Sequence, residues 1–168
     1  MKKLLFLMIV SLSLTSVSGQ DETPVVTKNN EFGAHVGATT GIGLSYRHWF
    51  NKVGFQLTAL PIKTEEVTFI SAGATVLYSF YDSKYVMVFG YLGGHYFVQE
   101  KDEERYNDRL GHFEKFPVEE ESFSFGIGPG FAFGRVVRFN LMVGYGFYDV
   151  FEKFNMFPTA EVGLFYRF

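Results

Sequence analysis

Apolar and polar residues alternate with a period of two along most of the chain, and the last ten residues show it most plainly. In Thr159-Ala-Glu-Val-Gly-Leu-Phe-Tyr-Arg-Phe168, the residues Ala160, Val162, Leu164, Tyr166 and Phe168 share one face, while Thr159, Glu161, Gly163, Phe165 and Arg167 share the other. Side chains alternate across a strand, so this pattern predicts a strand with one wholly apolar face. The same rhythm divides the chain from Glu31 onward into eight segments. The first, about Glu31–Ala38, sets Phe32, Ala34, Val36 and Ala38 against Gly33, His35 and Gly37. Thr39-Thr40-Gly41 reads as a three-residue hairpin loop with glycine in the left-handed position. The chain returns with Ile42, Leu44, Tyr46, His48 and Phe50 outward and Gly43, Ser45, Arg47 and Trp49 inward.

Asn51-Lys52 reads as a two-residue turn, which sets the register of the next pair of strands. Phe50 then faces Val53, His48 faces Phe55, Tyr46 faces Leu57 and Leu44 faces Ala59, while Arg47 faces Gln56 and Ser45 faces Thr58. Apolar meets apolar and polar meets polar. After a loop near Lys63-Thr64-Glu65, a fourth strand places Ile70, Ala72, Ala74, Val76, Tyr78 and Phe80 outward. An even turn at Tyr81–Lys84 then predicts Tyr85, Met87, Phe89 and Tyr91 outward on the fifth strand, with Gly90 and Gly94 inward. The sixth strand sets Phe123, Phe125, Ile127, Pro129, Phe131 and Phe133 against Ser122, Ser124, Gly126, Gly128, Gly130 and Ala132. Proline cannot donate to a ladder, so Pro129 is read as a bulge. The seventh strand carries Phe139, Leu141, Val143, Tyr145 and Phe147 outward, and Asp149 to Phe157 is read as the last loop.

Composition agrees with many strands and turns: Phe 21, Tyr 10 and Gly 18 in 168 residues. Mean hydropathy is only +0.06, which fits a barrel with one lipid face and one interior face. The absence of cysteine excludes a disulfide framework, a thiolate metal site and a catalytic thiol. A net charge of −3 offers no basic field for nucleic acid. At the amino end, Lys2-Lys3, the apolar run Leu4–Leu14 and Ser16-Val-Ser-Gly19 have the form of a secretory signal peptide over residues 1–19, cleaved after Gly19 or after Ser18. Residues 20–30 then form a short polar tail, and 31–168 the barrel.

Together, the signal run, the eight alternating segments and the terminal Leu164-Phe-Tyr-Arg-Phe168 resemble the small eight-stranded outer-membrane barrels of Gram-negative bacteria, the OmpA/OmpX type. The resemblance implies an all-β, antiparallel, up-and-down transmembrane barrel in the outer membrane, both termini periplasmic, and a monomer. It also implies contact with outer-membrane lipids and lipopolysaccharide, and recognition of the strand ending at Phe168 by the barrel assembly machinery. No catalytic, cofactor or metal site is expected, and no cofactor. His95 and Ser71 are the one pair to weigh as base and nucleophile, but the predicted faces put His95 outside and Ser71 inside. His35 reads as an interior residue, His48 as part of an aromatic girdle, and His112 as solvated.

An eight-stranded barrel has an interior just wide enough for side chains to fill it. Trp49, Phe69, Leu77, Leu92, Tyr96, Met142 and Phe165 are predicted there beside Arg47, Gln56, Arg138 and Glu161, with Glu161 paired to Arg47, Arg138 or Arg167. The expected function is therefore structural or surface-interacting, with a gated small-solute pore as the alternative and a lipid-modifying enzyme behind it. Residues 99–122 break the rhythm with an excess of acidic residues and read as a long external loop. Tyr106, Leu110 and Phe113 sit at helical spacing within it, and strand extensions above the membrane are equally compatible. The loop is either simply solvated or the place where a partner is met.

Overall fold

In the computed structural model, which describes residues 28–64, 67–107, 112–150 and 155–168, eight antiparallel strands follow one another round a closed barrel. They are β1 (Asn30–Gly37), β2 (Gly41–Phe50), β3 (Val53–Lys63), β4 (Val67–Asp82), β5 (Val86–Asn107), β6 (His112–Phe133), β7 (Val137–Tyr148) and β8 (Asn155–Arg167). The signal-peptide reading of residues 1–19 and most of the tail lie outside the described residues. Closure is by β1 against β8, from Glu31↔Arg167 to Val36↔Val162, with Asn30 and Phe168 exchanging backbone hydrogen bonds. Six residues of each strand are paired along that seam, which closes the sheet on itself.

The register follows the hydrophobic pattern. All six pairs expected across Asn51-Lys52 occur, and Asn51 takes the left-handed conformation, φ 59°, that such a turn needs. Following ladder partners once round the wall, Tyr166, Phe32, Tyr46, Leu57, Ala74, Gly94, Phe125, Phe147 and Met156 succeed one another. The circuit returns to β8 ten residues from its start, from Tyr166 to Met156. That stagger tilts the strands and spaces this small barrel.

Two expectations fail for one reason. β4 carries an extra residue at Phe80, where the ladder steps from Ser79↔Phe89 to Tyr81↔Val88. A bulge of one residue reverses the parity that the turn alone predicts. Met87, Phe89 and Tyr91 therefore face the interior, and Leu92 and Tyr96 face outward, at 53% and 41% exposure. Gly93, not Gly90 or Gly94, is the buried glycine of β5. Pro129, by contrast, shifts no register: β6 and β7 keep one alignment on both sides of it, with the ladder interrupted only between Ile127↔Tyr145 and Gly130↔Met142. Gly128 and Pro129 are the β6 residues in that gap, and no bulge accompanies them.

The acidic segment is not a loop through most of its length. β5 and β6 stay paired to Asn107↔His112, well past the ends of their neighbours at Val67↔Lys101 and Phe125↔Phe147. It is a two-stranded extension, so Tyr106 and Phe113 lie on strands rather than a helical turn; Leu110 is outside the described residues. β8 likewise starts earlier than predicted, at Asn155, and includes Phe157 and Pro158.

Candidate functional site

Inward-facing polar residues form two clusters, one at each end of the barrel interior. At the end bearing the termini, Glu31 on β1 is fully buried, with Arg47 Nη1 at 3.2 Å, Arg138 Nη1 at 3.4 Å and Arg167 Nε at 3.9 Å. Arg47 is held further by Gln56, with Nη2 and Nε donating to Oε1 at 2.6 and 3.1 Å, and by Asn140 Oδ1 at 3.1 Å. Its guanidinium lies 4.4 Å from the Phe165 ring centroid and 5.5 Å from that of Phe89. A planar, weakly hydrated cation suits such a set of acceptors and aromatic faces. Asp82, half exposed, adds a carboxylate to Arg138 and Arg167. An apolar layer of Trp49, Leu77, Met87, Phe89 and Met142 packs beside this cluster.

The other cluster is built on the turn between β1 and β2. Instead of rising from the wall, it folds into the interior, where Thr39 and Thr40 are fully buried. Gly41, at φ 96°, makes the reversal. Space is supplied from across the barrel: a Cβ at Gly73 on β4 would overlap the Thr40 carbonyl, and one at Gly126 on β6 would overlap the Thr39 side chain. Glu161 on β8 collects the turn's donors. Its Oε1 accepts Thr39 N–H at 3.0 Å, the Thr39 hydroxyl and the Thr159 hydroxyl at 3.3 Å, and its Oε2 accepts the Thr40 hydroxyl. The Thr40 hydrogen is thereby committed, so His35 Nε2, 2.6 Å from Thr40 Oγ1, is the donor there.

Ser71 and His95 hold the turn's far side. His95 Nδ1 donates to the Ala38 carbonyl at 2.9 Å, which leaves Nε2 to accept from Ser71 Oγ at 2.9 Å, and Ser71 Oγ accepts Ile42 N–H at 2.9 Å. The bulge at Phe80 is what brings His95 inside to meet Ser71, against the expectation that they lie on opposite faces. The pair has the spacing of a base and a nucleophile. Ser71 is 1% exposed, however, and its oxygen is engaged on both sides, so the pair works as an anchor for the turn. Ser71→Ala is expected to leave Ile42 N–H without its acceptor and to cost about 1–3 kcal/mol. The urea midpoint of the folded barrel in detergent measures this, and an unchanged midpoint would remove Ser71 from the anchor.

No family model and no curated protein matches the chain. Among solved structures, the N-terminal β-barrel domain of Pseudomonas aeruginosa OprF is similar at 13% identity and a TM-score of 0.47, covering 83% of this chain and 96% of that one. Neisserial surface protein A (NspA) is similar at 14% identity and a TM-score of 0.43, covering 83% and 94%. Ail, the attachment invasion locus protein of Yersinia pestis, is 19% identical at a TM-score of 0.41, with the same 83% and 94% coverage.

Glu161 does not meet Arg47, Arg138 or Arg167 as the sequence suggested; Glu31 does, because the register of β1 against β2 and β8 sets Glu31 directly opposite Arg47 and Arg167. Trp49, Leu77, Met142 and Phe165 are buried inside as predicted. His35 is inside, and His48 sits at the terminal end of the wall against Phe50 and Asn30. Thr39, Thr40 and Glu31 went unrecognised. The signal for the turn lay in the inward glycines of four successive strands, Gly73, Gly93, Gly126 and Gly146, all of which meet it.

Proposed function

We propose that the chain is an integral outer-membrane barrel whose interior is closed to solutes, and that it acts at the cell surface through the β5–β6 extension. The observation that carries the membrane reading is the inversion of the usual distribution of residues. Large apolar side chains such as Phe55, Leu57, Phe139, Tyr145 and Leu164 are exposed on the outside, while Glu31, Arg47, Arg138 and Glu161 are buried inside. In water such a belt would be an aggregation surface, whereas in a bilayer it faces its solvent. Tyr46, Tyr81, Tyr85, Tyr166 and Phe168 supply aromatics toward the end that bears the termini. The short turns between β2 and β3, β4 and β5, and β6 and β7 share that end, which by the usual arrangement is periplasmic.

Closure is supported by the two interior clusters, which occupy successive levels of a barrel narrow enough to be filled by side chains. The β5–β6 extension leaves the membrane with an unpaired edge on each side among the described residues. Both strands of the extension are rich in acidic residues, Glu100 among them on β5 and Glu119 to Glu121 on β6, and charge on edge strands disfavours edge-to-edge association. A recognition role suits a charged projection on a rigid scaffold. Protease added to intact cells should cut within residues 99–122 and leave the eight-stranded core folded. Cutting only after the outer membrane is opened would invert the topology and sink this reading.

A further inference from the structure

We propose that a groove on the outer wall over β4, β5 and β6, together with the basic turns below it, binds an anionic phospholipid of the leaflet nearer the termini; this rests on the outer-membrane reading above. The groove has a volume of about 450 Å³ and is lined chiefly by Val76, Tyr78, Phe80, Leu92, Ile127 and Pro129. It exists because one outward position lacks a side chain. The ladders set Gly90 between Tyr78 on β4 and Pro129 on β6, so a row of outward residues is broken by one with no Cβ. Phe80, the extra residue of the β4 bulge, forms the lower wall: a Cβ at Gly90 would stand 3.1 Å from its ring. Tyr78 and Phe80 meet edge to face beside it, with ring centroids 5.5 Å apart.

The lining decides the chemistry of the occupant. Among those six residues the Tyr78 hydroxyl is the one polar side-chain atom, and the volume is that of a small-ligand site, roughly 300–1,000 Å³. On a lipid-facing wall such a groove takes hydrocarbon. Its height sets the leaflet. From Val86, where β5 begins, to Gly90 a strand tilted by roughly 40° climbs about 10 Å from the end bearing the termini. That is less than half of an apolar belt about 25 Å tall.

Below the groove each short turn carries an exposed cation: Lys52, Lys84 and Arg135. The backbone sets the three turns next to one another, because the Lys52 carbonyl accepts Ser79 N–H of β4 at 2.7 Å and the Tyr85 carbonyl accepts Gly134 N–H at 2.8 Å. Lys84 Nζ lies 5.3 Å from the ring centroid of Tyr85, itself exposed. None of the three cations is in an ion pair among the described residues. Asp82, the carboxylate of the same turn as Lys84, is held by Arg138 and Arg167 at 3.5 and 3.9 Å. A phosphate at that level would face the three cations while its acyl chain lies in the groove above. A second copy of the chain fits less well. A two-fold pair buries the same patch on both partners, which would bring the cations of both copies together at one height.

The test uses single-tryptophan reporters in the full mature protein, in vesicles of phosphatidylcholine with a minor share of phosphatidylglycerol, one of the two lipids brominated in mid-chain. In a Trp49→Phe background, Leu92→Trp reports the groove and Leu44→Trp the far wall; each stands six residues from the terminal end of its strand, counted from Val86 and from Phe50. Heat-modifiable migration checks that each variant is folded. The proposal expects brominated phosphatidylglycerol to quench Leu92→Trp roughly twofold more than Leu44→Trp, and the same share of brominated phosphatidylcholine to show no such excess. Gly90→Leu, which fills the notch, should remove the excess, and so should Lys52→Gln, Lys84→Gln and Arg135→Gln together. Equal quenching of the two reporters by brominated phosphatidylglycerol would overturn the proposal, as would an excess that survives either change or that brominated phosphatidylcholine shows equally. Leu92→Trp shielded from both lipids while Leu44→Trp is quenched would also overturn it and mark a protein partner on this face. Absence of quenching at both reporters by both lipids would instead refute the membrane reading on which the proposal stands.

Discussion

Glu31→Ala is expected to be the most damaging single substitution in the barrel, lowering stability by about 3–5 kcal/mol. Glu31 is the one fully buried carboxylate within ion-pair distance of Arg47, Arg138 and Arg167 among the described residues. Arg47 and Arg138 are themselves buried, and removing the carboxylate leaves two guanidinium groups inside the barrel with Asp82, partly exposed, as the remaining anion. Breaking a buried pair from one side costs more than the pair is worth, because the survivor keeps its desolvation penalty. The check is therefore a comparison. Glu31→Met should unfold at much lower urea than wild type, while Glu31→Met combined with Arg47→Met should recover part of the loss. If the two single losses simply add, Glu31 is not the organising charge of that cluster.

Glu161→Ala should have the second largest effect and a different character. Its carboxylate accepts from Thr39 N–H and from the hydroxyls of Thr39, Thr40 and Thr159, all of them buried. Losing it strands several buried donors, at a cost of at least about 3 kcal/mol. Glu161→Gln keeps one acceptor oxygen and should cost less. The damage is local: the turn at residues 38–41 should become cleavable by protease added to the external face while the ladders persist. The Glu31–Arg47 cluster fills the next level of the interior, so planar-bilayer recordings of Glu161→Ala should stay without conductance steps. Steady conductance in that variant would show the turn to be the sole closure and favour the gated-pore alternative.

The number of strands, the faces of all but the fifth and the register across Asn51-Lys52 were readable from the chain. Each follows from short-range rules: period two sets the faces, and turn length sets the offset of adjacent strands. Those rules also located Trp49, Arg47, Gln56, Leu77, Met142 and Phe165 inside. They failed at β5, because a single extra residue at Phe80 reverses parity and no local signal at Ser79-Phe80-Tyr81 announces it. From there the reading put His95 outside and Leu92 and Tyr96 inside, hiding the contact with Ser71.

What only the tertiary structure decided is which inward residues share a level. That depends on the stagger accumulated round all eight strands, a property of closure and of no single hairpin. The circuit from Tyr166 back to Met156 sets Glu31 among the arginines and Glu161 beneath the β1–β2 turn, though both appear in the sequence simply as inward carboxylates. The inturned threonines have the same origin. A tight turn after Val36 looks like any other hairpin loop, and only the glycines facing it from β4, β5, β6 and β7 make room for it inside. Alternation along a strand is local chemistry and is written in the chain; coincidence across a closed wall is a long-range constraint that appears only when the last strand meets the first.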